Sequence, residues 1–251
     1  MRHPLTSLLA LGLLAAGLAA CSPSSSQLPG GLQLEEHALA DAPTPEPFGF
    51  QPLQGTQDEI LARHADDRAA TFPIEVDLID GNPAIVSLGD SGDLVARLIP
   101  SPEDPVRSIA VLYRGEEEIF SADAGLPSPA LPLQALWSYD GHWALEVLYA
   151  DTETWAGHVY IDGELVNALK GYDEAFGFQL LDGKPFYFYV REGSVGISYA
   201  GEEADIGYDE VIHYRCCAES TLNPVQAVNM VALFAQRDGT WSYVELGRFG
   251  S

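Results

Sequence analysis

From Ser108 to Gly247 the chain is a succession of apolar and β-branched runs, five to nine residues long, separated by breaks rich in glycine and aspartate. The runs are too short for helices, and their aromatic and branched content predicts strands. They are Ser108 to Tyr113, Leu133 to Ser138, Trp143 to Tyr149, Gly157 to Ile161, Phe176 to Leu181, Phe186 to Arg191, Val195 to Tyr199, Glu210 to Tyr214, Ala227 to Ala235 and Thr240 to Gly247. One segment has helical spacing instead. Gln57 to Arg68 places Ile60, Leu61 and Ala65 on one stripe, with Thr56 as cap and Glu59 completing a capping box.

The breaks repeat. Tyr113-Arg-Gly115-Glu116-Glu117, Tyr160-Ile-Asp-Gly163-Glu164 and Tyr199-Ala-Gly201-Glu202-Glu203 form one family. Tyr139-Asp140-Gly141, Leu181-Asp182-Gly183 and Arg237-Asp238-Gly239 form a second, and Gly171-Tyr172-Asp173-Glu174 returns as Gly207-Tyr208-Asp209-Glu210. Asp-Gly between apolar runs is a hairpin signal, because both residues accept the positive φ of a tight turn. The pattern predicts a mostly β fold of repeated four-stranded antiparallel units of about 40 residues with one short N-terminal helix. Such units resemble the blades of β-propellers, which implies a propeller-like ring or another small β-repeat assembly. Three copies are clear and a fourth, between Thr71 and Pro100, is weak, whereas a closed ring needs at least four blades. The stretch from Cys216 to Asn229 interrupts the last unit as an insertion.

Residues 1–20 begin with Arg2 and continue as an apolar run from Leu8 to Ala20, too short to span a bilayer comfortably. This is the layout of a cleaved export signal. Leu18-Ala19-Ala20-Cys21 resembles the lipobox of bacterial lipoproteins, which implies cleavage before Cys21 and lipidation of its thiol. The expectation is a lipid-anchored, extracytoplasmic protein of the bacterial envelope. Ser22 is not the aspartate of inner-membrane retention, which favours the outer membrane of a Gram-negative cell. Residues 21–55, rich in Pro, Ser and Gly, read as a flexible tether, with Leu32, Leu34, Phe48 and Phe50 as apolar positions able to dock onto the domain. Residues 56–251 then form a single domain.

Charge narrows the partners. Without residues 1–20 the chain has 11 basic against 37 acidic residues, a net charge of −26. Such a surface repels nucleic acid and anionic headgroups. The expected partners are the membrane, through the lipid anchor, and an envelope protein or a glycan.

Candidate chemistry is sparse. Asp173, Glu174, Asp209 and Glu210 recur in register and are the candidate cation ligands, with Ca²⁺ the fitting ion and no other cofactor expected. Cys216 and Cys217 are adjacent. They form a strained bridge, bond to another chain, or stay as two thiols of which at least one is buried. Gly89-Asp90-Ser91-Gly92 resembles the nucleophile segment of trypsin-like serine peptidases, but only His37 and His64 precede Ser91 in the exported chain. The 27 residues after His64 have no room for the barrel that separates such partners. No catalytic residue is therefore assigned. The sequence predicts a binding or interaction domain without catalysis, with a glycan-acting hydrolase built on a carboxylate pair as the alternative.

Overall fold

A computed structural model describes residues 28–45, 77–79, 82–89 and 93–249. Cys21, Phe48, Phe50, the expected helix Gln57–Arg68 and Ser91 lie outside the described residues.

The described chain starts with a 3-10 turn, Pro29–Gly31, and strand β1, Gln33–Ala38. Ten strands follow: β2 (Asp77–Ile79), β3 (Asn82–Val86), β4 (Leu88–Gly89), β5 (Leu94–Pro100), β6 (Ser108–Arg114), β7 (Glu117–Gly125), β8 (Leu133–Tyr139), β9 (His142–Ala150), β10 (Trp155–Ile161) and β11 (Glu164–Leu165). A one-turn helix, α1 (Val166–Lys170), leads to β12 (Glu174–Leu181), β13 (Lys184–Arg191), β14 (Ser194–Tyr199) and β15 (Glu202–Tyr208). The chain ends in β16 (Glu210–Val211), β17 (Val225–Gln226), β18 (Met230–Arg237) and β19 (Thr240–Gly247).

The hairpins follow the repeats read in the sequence. Asp140-Gly141, Asp162-Gly163, Asp182-Gly183 and Asp238-Gly239 all have positive φ at both central residues, the primed geometry whose twist matches that of the strands it joins.

The propeller-like expectation is overturned: the strands form three separate sheets, none closed. β2 to β11 make one ten-stranded sheet. Two antiparallel meanders, β2-β3-β5-β6-β7 and β8-β9-β10-β11, are fused where β4 runs parallel to β8 and where Gly125 of β7 meets Ala150 of β9. Gly125 permits this contact, since a β-carbon there would overlap the Ala150 carbonyl oxygen. β12 to β15 form a four-stranded meander, and β1, β16, β17, β18 and β19 form the third sheet. Two repeat units have thus merged edge to edge, and the others remain open sheets.

The segment read as a tether contains structure of its own. β1 pairs antiparallel with β19 from Gln33↔Gly247 to Ala38↔Ser242, Leu28 and Leu32 are buried, and Leu34 packs against the same core. Alternation in this stretch is short and lies among turn-forming residues, so composition masks it.

The sheet faces pack in series. Ile85, Leu112, Leu136, Leu145 and Val147 fill the core within the large sheet. Trp137, Val159, Phe178, Tyr187 and Tyr189 join the large sheet to the four-stranded one. Phe176, Phe188, Ile197, Leu233 and Val244 join that sheet to the third, whose far face packs Leu222, Met230, Phe234 and Tyr243.

Candidate functional site

The densest buried polar chemistry among the described residues lies where the three sheets meet. Glu146 sits mid-strand in β9, between Ala135 of β8 and Val159 of β10, and is 2% exposed. Its side chain points away from Leu145 and Val147 and meets β12.

There β12 is bulged. Its pairing with β13 steps from Phe176↔Phe188 to Gln179↔Phe186, and Gly177 has φ +67. The extra residue reverses the alternation, so that Phe176 enters the core beside the third sheet while Phe178 enters the core beside the large one. It also frees two N–H groups from the ladder. Both go to Glu146: Gly177 N–H donates to Oε1 at 3.0 Å and Phe178 N–H to Oε2 at 2.7 Å. Two further bulges use the strand's own aspartate, Asp123 accepting from Gly125 N–H and Asp205 from Gly207 N–H at 2.8 and 2.7 Å. In β12 the residue two before the glycine is Ala175, and the acid comes from the neighbouring sheet instead.

A third bond ties in the last sheet. Beyond β16 the backbone turns at Tyr214, φ +53, and sends its hydroxyl to Glu146 Oε1 at 2.6 Å. Gly157 of β10 makes room, because a β-carbon there would overlap the Tyr214 hydroxyl and the Ala175 carbonyl oxygen. Burial raises the pKa of Glu146, against the pull of these three hydrogen bonds and the charge of His213. The Tyr214 hydroxyl is also pushed well up, first by burial and then by the Glu146 carboxylate.

Glu174 and His213 complete the cluster. Glu174 Oε1 accepts from Gly157 N–H at 2.8 Å and lies 3.1 Å from His213 Nε2, and His213 Nδ1 lies 2.6 Å from the Val211 carbonyl oxygen. A carbonyl and a carboxylate accept, so this geometry favours donation by both ring nitrogens, which is the charged form of the ring. Burial opposes this, but the bond to Glu174 and its charge, the Val211 carbonyl and the Glu146 charge together raise the histidine. Phe176 stacks on the ring at 3.8 Å between centroids, a cation–π contact. Glu146 is sealed, but Glu174 and His213 remain 16% and 20% exposed. One pleat before Gly157, on the same face of β10, Trp155 is 47% exposed.

The residues singled out in the sequence divide. Glu174 belongs to the cluster. Asp173 Oδ2 accepts the N–H of Glu192 at 3.0 Å, and Asp209 Oδ2 that of Asp238 at 2.7 Å, so each steadies a hairpin turn of its own sheet. Glu210 faces Arg215 at 3.8 Å. Tyr172 and Tyr208 of the same repeat are buried beneath Arg191 and Arg237. The repeated acids therefore stand apart, and among the described residues no group of three or more His, Cys, Asp or Glu is arranged to hold a metal ion. Cys216 and Cys217 open the insertion, on the chain that leaves Tyr214. Glu146 escaped the sequence reading. The signal for it was a lone acid in Trp143-Ala-Leu-Glu-Val-Leu-Tyr149, a run otherwise fit for a central strand.

The described residues include no helix long and apolar enough to cross a membrane. The lipid-attachment reading of Cys21 draws no support from the fold. Neither the protein-family models nor the curated proteins searched include a match to this chain.

Proposed function

We propose that the protein is a non-catalytic interaction domain of the bacterial envelope that binds a protein partner through the face around Trp155, Glu174 and His213. The observation that carries this reading is the exposed indole of Trp155, two residues along β10 from the Gly157 N–H that binds the Glu174–His213 pair. An indole loses little conformational freedom on binding and offers a large contact area, which is why tryptophan is enriched among residues that dominate binding energy. The rest of the surface favours a partner with a basic or neutral face. Arg97, Arg107, Lys184, Arg191 and Arg237 lie over tyrosine rings, and Lys170, Arg215 and Arg248 reach Glu203, Glu210 and Asp182. These cations are spent within the molecule, so the acids dominate what a partner meets. The address rests on residues 1–21 alone: export, cleavage before Cys21 and lipidation.

The test is crosslinking in intact cells from a photoreactive residue at Trp155, beside the same residue at Val228, which is also exposed. A discrete protein adduct from position 155, absent from position 228, is the expected result, and the captured protein, once purified, is expected to bind the unmodified chain in vitro more tightly than Trp155→Ala. Equal adducts from both positions, or none, overturn the proposed face. Retention on a polysaccharide column that Trp155→Ala abolishes, without a protein adduct, overturns the protein partner in favour of a glycan.

A further inference from the structure

The insertion between β16 and β17 begins with two adjacent cysteines whose Sγ atoms are 3.0 Å apart. Cys217 is exposed and Cys216 partly so, and Cys217 has φ +59, a conformation that side-chain-bearing residues rarely adopt. The surrounding backbone is braced. Asn223 closes the insertion by accepting from Arg215 N–H at 2.7 Å and donating to the Arg215 carbonyl at 2.9 Å. The carbonyl of Cys216 accepts from Glu219 N–H at 3.1 Å, and that of Cys217 from the Ser220 hydroxyl at 2.8 Å. Both thiols thus sit at the surface of a fixed turn, with a gap between the sulfurs about 1 Å longer than a disulfide bond.

We propose that Cys216 and Cys217 are a redox site: a vicinal dithiol that closes to a disulfide by exchange with disulfide-bearing oxidants and reopens with thiols. The Cys217 thiolate attacks one sulfur of the oxidant, forming a mixed disulfide and releasing one thiol. The Cys216 thiolate then attacks Cys217 Sγ and expels the second thiol. The protein loses two protons and two electrons, and one oxidant disulfide becomes two thiols. The order follows access, since Cys217 is the more exposed. The hydrogen bond to Cys217, partial desolvation and the charges of Cys217 and Glu219 also push the Cys216 thiol up. Neighbouring α-carbons lie about 3.8 Å apart across a trans peptide, under the spacing of about 4.4 Å at which ordinary bridges begin. The closed form is therefore readily reduced, the property of exchangeable rather than structural disulfides. This site is independent of the partner face proposed above.

The full chain, equilibrated in buffers of oxidised and reduced glutathione, is quenched with acid, alkylated and digested with trypsin. Cleavage after Arg215 and Arg237 puts both cysteines on one peptide, separate from Cys21. In oxidised glutathione that peptide is expected to be unalkylated and two hydrogens lighter than the dithiol, and in excess reduced glutathione to carry two alkyl groups. Cys216→Ser removes the resolving thiol and is expected to leave a glutathione adduct on Cys217. Two alkyl groups throughout the series, a glutathione on each cysteine of the unmodified chain, or a crosslink to a second chain would overturn the proposal.

Discussion

At the scale of single residues, Glu146 is the point on which three sheets converge. Its removal leaves the N–H groups of Gly177 and Phe178 and the Tyr214 hydroxyl without their buried acceptor. Glu146→Ala is expected to cost about 3 kcal/mol in urea unfolding. Glu146→Gln keeps one acceptor oxygen and is expected to cost less, so equal losses in the two variants would refute the hydrogen-bond account. The imidazolium of His213 has a pH signature. Its folded pKa is raised, so its contribution is complete below the ordinary histidine pKa of about 6.5 and is lost as pH rises through the folded value. The groups facing it are Glu174, Glu146, the Val211 carbonyl and the Phe176 and Tyr214 rings. Thermal melts should therefore fall more steeply above about pH 6.5 in the unmodified protein than in His213→Gln. Parallel pH curves would count against the charged ring. Glu203 has the opposite sign: burial raises it, but Arg191, Lys170 and Tyr172 together lower it, so its contribution is lost as pH falls through the carboxylate range.

At the scale of elements, most strands from Ser108 onward were legible because local chemistry decides them, whereas β7 and β15, which open on Glu-Glu and carry further acids, were not among the runs read. The runs between Asp-Gly breaks became β6, β8, β9, β10, β12, β13, β14, β18 and β19 with boundaries that differ by a few residues at most. Two stretches were read too long. Glu210 to Tyr214 leaves its strand after Val211, since the chain must turn for His213 and Tyr214 to reach the two glutamates. Ala227 to Ala235 becomes a strand only at Met230, because Val225 and Gln226 fold back onto Ala232 and Val231. β1 was missed altogether, its pairing with β19 being set by residues some two hundred positions away. Leu32→Ala tests whether that strand is integral to the domain. The side chain is 4% exposed in the core of the third sheet, and its truncation is expected to cost about 2–5 kcal/mol in urea unfolding. A loss near zero would return the segment to the role of a loose leader.

At the scale of the whole molecule, local signals predict units but not how units join. The repeats read in the sequence do form antiparallel meanders, yet the close approach of Gly125 to Ala150 and the parallel run of β4 against β8 are contacts of backbone with backbone. No alternation of apolar and polar residues encodes them, which is why a ring and an open series of sheets looked alike from the sequence. The site was hidden for a related reason. Its carboxylates, histidine and tyrosine come from β9, β12 and the turn after β16, and only a bulge in the middle of β12 brings them together. The placement of β1 also sets a distance. If Cys21 holds the lipid, only six residues separate it from buried Leu28, and the seven fully extended steps between them reach about 25 Å. The domain then rides low over the bilayer rather than at the end of a long leash. Any partner it then meets must be within a short stand-off of the headgroups.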